Sequence, residues 1–162
     1  MRGSSITKIN LFIQVLLFLV LVGCAGVKVS LVESSDYMQL RRGDILTTGK
    51  LSAYTGAALQ VFGVDKKKCL DNGAMCREVL MNTIGVHSEN RFSSLAELWL
   101  EEAKKLDNQP WEDKRIEDLI NAYLETTRYA YAYLFMTRRT PEKRALEDRQ
   151  TQVRDYYNFA VQ

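Results

Sequence analysis

The stretch RRGDILTTGKLS, residues 41–52, contains the residue types of a phosphate-binding loop. Such a loop needs G-x-x-x-x-G-K-[S/T], because its backbone N–H groups surround one phosphate while the lysine reaches the next. Here five residues separate Gly43 from Gly49, and Leu51 stands where the metal-binding hydroxyl belongs. The spacing instead predicts a turn at Gly43-Asp44, a short extended piece over 45–47, a second turn at Gly49 and a helix capped by Ser52.

Nucleophiles and bases are the next candidates for chemistry. No G-x-S-x-G nucleophile elbow occurs in the sequence. The single histidine, His87, follows Cys76 by eleven residues, so a Cys–His pair is conceivable, but a lone histidine beside a helix end is more often structural or exposed. A zinc site needs four ligands, and His87 has no partner pattern. We therefore expect no catalytic residue, no cofactor and no metal site.

The first 24 residues have the pattern of a secretory signal peptide. Arg2 and Lys8 make the start positive, and residues 11–22 are apolar except for Gln14. This apolar run is too short for a comfortable membrane span, which needs about 20 residues.

The sequence Leu21-Val22-Gly23-Cys24 resembles the lipobox of bacterial lipoproteins. The resemblance implies a signal peptide over residues 1–23, cleavage between Gly23 and Cys24, and a diacylglycerol on the Cys24 thiol. Ala25 rather than aspartate follows, which in enteric-type bacteria implies the periplasmic face of the outer membrane. Two or three acyl chains anchor a protein firmly, because each buried CH₂ contributes about 0.8 kcal/mol. An ordinary signal peptide with an incidental cysteine, or a signal anchor, is the alternative.

Charge excludes one class of partner. Of the 22 Lys and Arg residues, Arg2 and Lys8 fall within residues 1–23, so the remaining basic residues equal the 20 Asp and Glu residues in number. A nucleic-acid-binding protein normally has a basic surplus on one face. We expect neither a nucleic-acid nor a nucleotide partner, since a chain outside the cytoplasm also has no ATP supply.

Two cysteines remain when Cys24 is acylated. Cys69 and Cys76 flank Asp71-Asn72-Gly73, a strong turn signal. A turn there brings two Cα atoms to the separation of about 5.5–6 Å that a disulfide needs, and an oxidising compartment permits the bond. Two free thiols in helical contacts are the alternative.

The elements that position these residues are predicted to be helices. Residues 24–50 form a short, irregular or extended lead-in, and residues 51–162 form a mainly α domain of about five helices. Ser94 and Glu97 have capping-box spacing and predict a helix start. The long C-terminal helices are expected to pack as an antiparallel pair, one over 112–137 and the last from Thr140-Pro141 to about Phe159.

The predicted core face of the longest helix follows from helical spacing. It comprises Ile116, Leu119, Ile120, Tyr123, Leu124, Thr127, Tyr131, Leu134 and Phe135. In the last helix, Leu146, Val153, Tyr157 and Ala160 are predicted to point inward. The tyrosines at 129, 131, 133, 156 and 157 form either helix packing or a ligand platform.

Longer segments carry a second resemblance. The phrases RRGDILTTGKLS, AELWLEEAKKL, RYAYAYLF and LEDRQTQVRDYYNFAVQ, together with the lipobox, are similar to the amino-terminal helical region of bacterial lipoproteins with an α/β-hydrolase domain. In such proteins the nucleophile, acid and histidine follow this region, so no catalytic residue is carried over. The resemblance implies that the chain is the front part of such a protein, or a member that keeps only the helical part.

Two functions follow as hypotheses. The first is a lipid-anchored, non-enzymatic envelope module with a structural or protein-interaction role and an unknown protein partner. The second is the front part of a lipoprotein hydrolase of the esterase or lipase kind. A small-ligand carrier that uses the tyrosine-rich face is a third hypothesis.

Overall fold

A computed structural model describes residue 36, residues 42–110 and residues 113–162. The chain divides into two units, Met1–Val32 and Glu33–Gln162, and every described residue belongs to the second. The predicted signal peptide and most of the predicted lead-in lie outside the described residues.

The described part is helical. Its elements are α1 Ala53–Gln60, α2 Lys66–Asp71, α3 Gly73–Asn82, α4 Ser88–Asp107, α5 Asp113–Phe135, a 3-10 helix Pro141–Arg144, and α6 Asp148–Ala160. The described ranges contain no strand. The prediction of a mainly α fold whose long C-terminal helices form an antiparallel pair is confirmed. The Tyr123 ring in the first half of α5 lies 6.3 Å from the ring of Phe159 at the end of α6.

The centre of the fold is formed by α4 and α5, whereas the sequence predicts α5 and the last helix there. Phe92 near the start of α4 lies 6.4 Å from Tyr129 in the second half of α5, measured between ring centroids. Arg139, just after α5, reaches Glu89 in the first turn of α4. The two helices are therefore antiparallel. Leu95, Leu98 and Leu100 of α4 are fully buried, and burying each such side chain contributes about 1.5–3 kcal/mol.

The remaining helices pack around this pair. Val153 and Tyr156 of α6 join the same core as Leu59 of α1 and Leu80 of α3. The short helix α2, which the sequence did not predict, is capped by Asp65 and ends at the Asp71-Asn72 junction. Asn72 caps α3 in turn, accepting from the Met75 amide at 3.2 Å.

The segment before α1 is a turn stabilised by a buried aspartate. The Asp44 carboxylate accepts hydrogen bonds from the amides of Leu46 and Thr47 at 3.0 and 2.9 Å. The predicted extended piece over 45–47 is therefore wrong, because this side chain draws the backbone into a turn. The predicted turn at Gly49, where φ is +67°, is confirmed, and so is the Ser52 cap of α1.

The predicted start of α4 at Ser94 is wrong. The helix begins at Ser88, three residues after Gly85, whose φ of +89° ends the preceding segment. Glu89 in the first turn suits the positive end of the helix dipole. Ser94 and Glu97 are consequently buried in the middle of the helix, where neither can cap its start.

The predicted start of the last helix at Thr140-Pro141 is also wrong. The Thr140 side chain makes no capping hydrogen bond, and Pro141 opens a single 3-10 turn that ends at Arg144. The helix starts anew at Asp148. Leu146 lies in the break and is fully exposed, whereas Val153 is buried as predicted.

The buried face of α5 differs from the predicted one. Small residues at Ala122, Thr126 and Ala130 are fully buried, together with Tyr133. Among the residues predicted to be inward, Leu134 is buried, whereas four others are exposed, namely Ile120, Leu124, Tyr131 and Phe135. Small side chains allow close helix approach, which places the larger apolar ones outside.

Candidate interaction surface

The predicted site residues divide into two groups. Gly23 and Cys24, the predicted cleavage and lipidation positions, lie outside the described residues. Cys69 near the end of α2 and Cys76 in α3 lie inside, with Sγ atoms 2.06 Å apart and Cα atoms 5.6 Å apart. The prediction that these two cysteines meet at disulfide distance is confirmed.

Cysteine chemistry with His87 has no support in this arrangement. Cys76 is fully buried and paired with Cys69, so its thiol is not free to act as a nucleophile. His87 is exposed just before α4. Over residues 42–110 and 113–162, no group of three or more His, Cys, Asp or Glu residues is arranged to hold a metal ion.

Glu97 forms the first of two buried acidic centres. Its Oε1 accepts from the Ser52 amide at 2.7 Å and from the Ile45 amide at 3.3 Å, and its Oε2 accepts from the Ser52 hydroxyl at 2.6 Å. Burial raises the pKa of Glu97, the hydrogen bonds from Ser52 oppose that rise, and the nearby charge of Asp44 adds to it. This centre ties the segment before α1 to the middle of α4.

Tyr156 of α6 completes the first centre. Burial raises the pKa of Tyr156 well above its ordinary value, and the carboxyl groups of Glu97 and Asp44 raise it further. A serine, two acids and a tyrosine are thus close together. All four are nearly fully buried, so the group holds three parts of the fold together and offers no surface to a substrate.

Glu89 forms the second buried centre. Arg139 donates through Nε to both of its carboxylate oxygens, at 2.9 and 3.0 Å. Arg144 and Arg149 lie 3.8 and 3.9 Å from the same carboxylate. The Arg139 hydrogen bond lowers the pKa of Glu89, although burial opposes this effect.

Arg144 also closes the end of α5. It donates to the Leu134 carbonyl at 3.0 Å and to the Thr137 hydroxyl at 2.8 Å, and its guanidinium lies 4.2 Å from the centroid of the Tyr133 ring. The side chain is fully buried. This second centre therefore locks the end of α5 to the starts of α4 and α6.

A row of apolar side chains on α5 is exposed. Ile120, Leu124, Tyr131 and Phe135 are 53%, 62%, 47% and 59% exposed. Their spacing places them on one side of the helix, away from the buried face. We call these four residues the α5 stripe.

An open groove of about 440 Å³ lies beside the middle of the stripe, at Leu124 and Tyr131. Its lining residues come mainly from α5, with one from α4 and one from α6: Phe92, Leu124, Thr127, Arg128, Tyr129, Tyr131, Ala132, Met136 and Tyr157. The Tyr131 ring lies 4.8 Å from that of Phe135 and 6.4 Å from that of Tyr157. The aromatic surface thus continues from α5 onto α6.

The predicted tyrosine platform is divided by the fold. Tyr129, Tyr133 and Tyr156 are buried and serve packing. Tyr131 and Tyr157 line the groove, and the largely buried Tyr129 also borders it. A cleft of about 290 Å³ lies between α1 and the segment before α4, beside the exposed side chains of Val61 and Ile84.

The width of the apolar arc on α5 is a sequence signal for the α5 stripe, and the predicted core face did not take it into account. A helix that packs on one side needs an apolar arc of roughly 100°. In α5, the arc formed by the buried residues and the stripe together is wider than this. An excess of this kind indicates a second contact surface, whereas helical spacing alone predicts that the largest apolar side chains belong to the core.

No helix within the described ranges combines the length and apolar character that a bilayer span requires. Comparisons with protein-family models, curated proteins and solved structures find no match to this chain.

Proposed function

We propose that this chain is a lipid-anchored, non-enzymatic module of a bacterial cell envelope that binds a protein partner through the α5 stripe. The observation that carries the proposal is the stripe itself, because single exposed apolar side chains are common on protein surfaces, whereas several aligned on one side of a helix indicate a contact surface. Its four side chains are more than two-fifths exposed.

The shape of the surface favours a protein over a small molecule. The stripe runs about 22 Å along the helix axis at 1.5 Å per residue. The groove beside it is open rather than enclosed by side chains on all sides, whereas small-ligand pockets bury most of their ligand. A long, shallow, aromatic-edged surface is the kind that an amphipathic helix of a partner covers.

The lipobox resemblance at Leu21-Val22-Gly23-Cys24 supports the anchoring part of the proposal. Acylation of Cys24 would confine the module to a membrane surface. Confinement raises the effective concentration of a partner in the same membrane, so a modest interface suffices.

Anchoring is tested by Cys24→Ser. We expect loss of acyl-chain labelling and loss of membrane retention in the processed protein. The double variant Cys69→Ala/Cys76→Ala is the matched control, and it should keep both properties because the anchor does not involve these cysteines. Unchanged labelling of the Cys24→Ser protein would overturn the lipoprotein assignment.

Partner binding is tested by a photo-reactive phenylalanine analogue placed at Leu124 of the full chain in the producing bacterium. We expect a covalent adduct with a protein. The same analogue at Lys67, an exposed polar position on α2, is the control and should give none. No adduct at Leu124, or equal adducts at both positions, would contradict the proposal.

A second candidate is the front part of a lipoprotein hydrolase, and the resemblance of AELWLEEAKKL and RYAYAYLF to such proteins favours it. In that case the stripe would pack against a hydrolase domain. The test is whether the DNA downstream of the codon for Gln162 encodes G-x-S-x-G and a later histidine in any frame. If neither is encoded, this candidate is excluded.

A further inference from the structure

We infer that the partner on the α5 stripe is a second copy of this chain, with the two α5 helices antiparallel across a two-fold axis between Thr127 and Arg128. The inference rests on the proposed function and names its partner. It is carried by the order of apolar and charged residues along α5.

The stripe is symmetric about that axis. Ile120 and Phe135 are equally distant from the midpoint between Thr127 and Arg128, and Leu124 and Tyr131 are equally distant from it. In a two-fold interface, residue i of one copy meets residue j of the other, and j meets i. Ile120 therefore faces Phe135 of the second copy, and Leu124 faces Tyr131, so each aliphatic side chain meets an aromatic one.

The spacing of the stripe also suits a helix partner. Ile120, Leu124, Thr127 and Tyr131 follow the four-three-four spacing of a coiled-coil seam. Thr127 is half-buried and bonded to the Tyr123 carbonyl at 2.9 Å, so its hydroxyl is already satisfied. A small side chain at the axis allows the two helices to approach closely.

Charge complementarity favours the antiparallel direction. Glu117 lies in α5 before the stripe, and Arg138 follows the end of α5 by three residues; both are exposed, and both are ten or eleven sequence positions from Thr127 and Arg128. In an antiparallel pair, Glu117 of each copy lies near Arg138 of the other copy, so the contact occurs twice. A parallel pair would instead bring like charges together at both ends, which disfavours it.

The residues near the axis are compatible with this arrangement. Arg128 lies next to its own counterpart, but it is bonded to Glu125 at 2.8 Å, which compensates its charge. Glu125 of the second copy also lies within one helical turn of Arg128. The two guanidinium groups are thus accompanied by two carboxylates.

Single cysteines test both the partner and its direction. The full chain is expressed in bacterial membranes, oxidised with copper phenanthroline and resolved on non-reducing gels. Arg128→Cys should give a covalent dimer, because both copies place this residue at the axis. Ile120→Cys alone should give none, because the two copies of this residue lie about 22 Å apart.

The pairing of positions is tested by co-expression. Ile120→Cys together with Phe135→Cys should give a dimer that contains one chain of each kind. Lys67→Cys and the unsubstituted chain are controls for collisions and for the native cysteines. A dimer from Ile120→Cys alone, or no dimer from Arg128→Cys, would overturn the inference.

A second test measures the dimerisation affinity of the detergent-solubilised full chain by sedimentation velocity. Leu124→Glu should weaken dimerisation at least about 30-fold, as expected for loss of a central apolar contact. Glu117→Arg and Arg138→Glu should each weaken it about 10-fold, and the double variant should recover most of the loss. Independent effects of the two charge changes would refute the antiparallel pairing.

The outcomes separate this inference from the proposed function. An adduct at Leu124 with a different protein, without a dimer from Arg128→Cys, would leave the proposed function standing and overturn the second-copy partner. No adduct of any kind at Leu124 would remove both.

Discussion

Ser52 and Glu97 are 45 residues apart in sequence, yet the Ser52 amide and hydroxyl both donate to the Glu97 carboxylate, at 2.7 and 2.6 Å. Ser52 meanwhile accepts from the Thr55 amide at 3.2 Å and so caps α1. One acid in the middle of α4 therefore holds the cap of another helix in place. The segment from Ile45 to Ser52 is connected to the core through this contact.

Two substitutions of Glu97 should distinguish what its hydrogen bonds contribute to stability from what its charge contributes. Glu97→Gln keeps an oxygen for the amides of Ser52 and Ile45 and should lower the free energy of unfolding by about 1 kcal/mol or less. Glu97→Ala leaves buried donors without an acceptor and opens a cavity, so the loss should be about 3 kcal/mol. Denaturant unfolding of both variants measures the difference, and equal losses would contradict this role.

The pH dependence of stability should carry the signature of Glu97. Its pKa is raised in the folded protein above the ordinary value of 4.5. Between those two values the folded chain binds a proton that the unfolded chain has released, so stability falls as pH rises from about 4.5 through the folded pKa. Glu97→Gln should lack this fall. Parallel stability curves for the two proteins would show that Glu97 does not titrate in this way.

Glu89 should give the opposite pH dependence of stability, in the acid range. Its pKa lies below 4.5 in the folded protein, so the stability it contributes is present above 4.5 and is lost as pH falls through the folded pKa. Arg139→Ala should move acid unfolding to higher pH. Its cost near neutral pH should be about 1–2 kcal/mol, because Arg139 is two-fifths exposed and Arg144 and Arg149 remain near the carboxylate.

Arg154→Ala is the matched control for Arg139→Ala. Arg154 is exposed on α6, 3.6 Å from the likewise exposed Asp155. Its removal should leave the acid transition unchanged, as followed by circular dichroism during titration. If the two variants behave alike, the buried position of Glu89 is not what matters.

Two serines should respond to alanine in opposite ways. Ser52→Ala removes a helix cap and a donor to Glu97, and should destabilise the protein by about 1–2 kcal/mol. The Ser94 hydroxyl is buried in α4 without a hydrogen-bond partner. Ser94→Ala should therefore be neutral or stabilising by up to about 1 kcal/mol, because alanine removes an unsatisfied group and favours the helix. Thermal unfolding of both variants decides the order.

The pairing of Cys69 with Cys76 should be chemically protected. Both residues are fully buried, so thiol reagents should modify neither in the native, non-reduced protein. After unfolding, alkylation should require reductant, as intact mass would show. Cys69→Ala/Cys76→Ala should cost about 2 kcal/mol, because the closed loop is short. Alkylation of unfolded protein without reductant would show free thiols.

Local signals in the sequence predicted much of this fold. The Ser52 cap, the turn at Gly49, the Cys69–Cys76 pairing and the boundaries of α5 depend on residues within about one helical turn or one short loop of each other. Such features follow from nearby backbone groups, which tertiary contacts did not override here.

The predicted helix starts that proved wrong rest on local sequence patterns that are compatible with two different structures. Ser94 and Glu97 match a capping box, but the same spacing also places two side chains on the inner face of a longer helix. Thr140-Pro141 matches a helix start, but Arg144 turns inward to bind the Leu134 carbonyl, and the chain leaves the helical path. In both cases, contacts with residues outside the local pattern decided which of the two structures formed.

The sequence by itself determined that the described chain is helical, where most of its helices lie and which cysteines meet, because these depend on periodicity, capping residues and short loops. Only the tertiary structure decided that Glu97 accepts hydrogen bonds from Ser52 and that three arginines surround Glu89. It also decided that the side chains of the α5 stripe are exposed to solvent. Apolar residues on α5 exceed what one interface can bury, and the packing of small side chains against the core selects which of them face solvent.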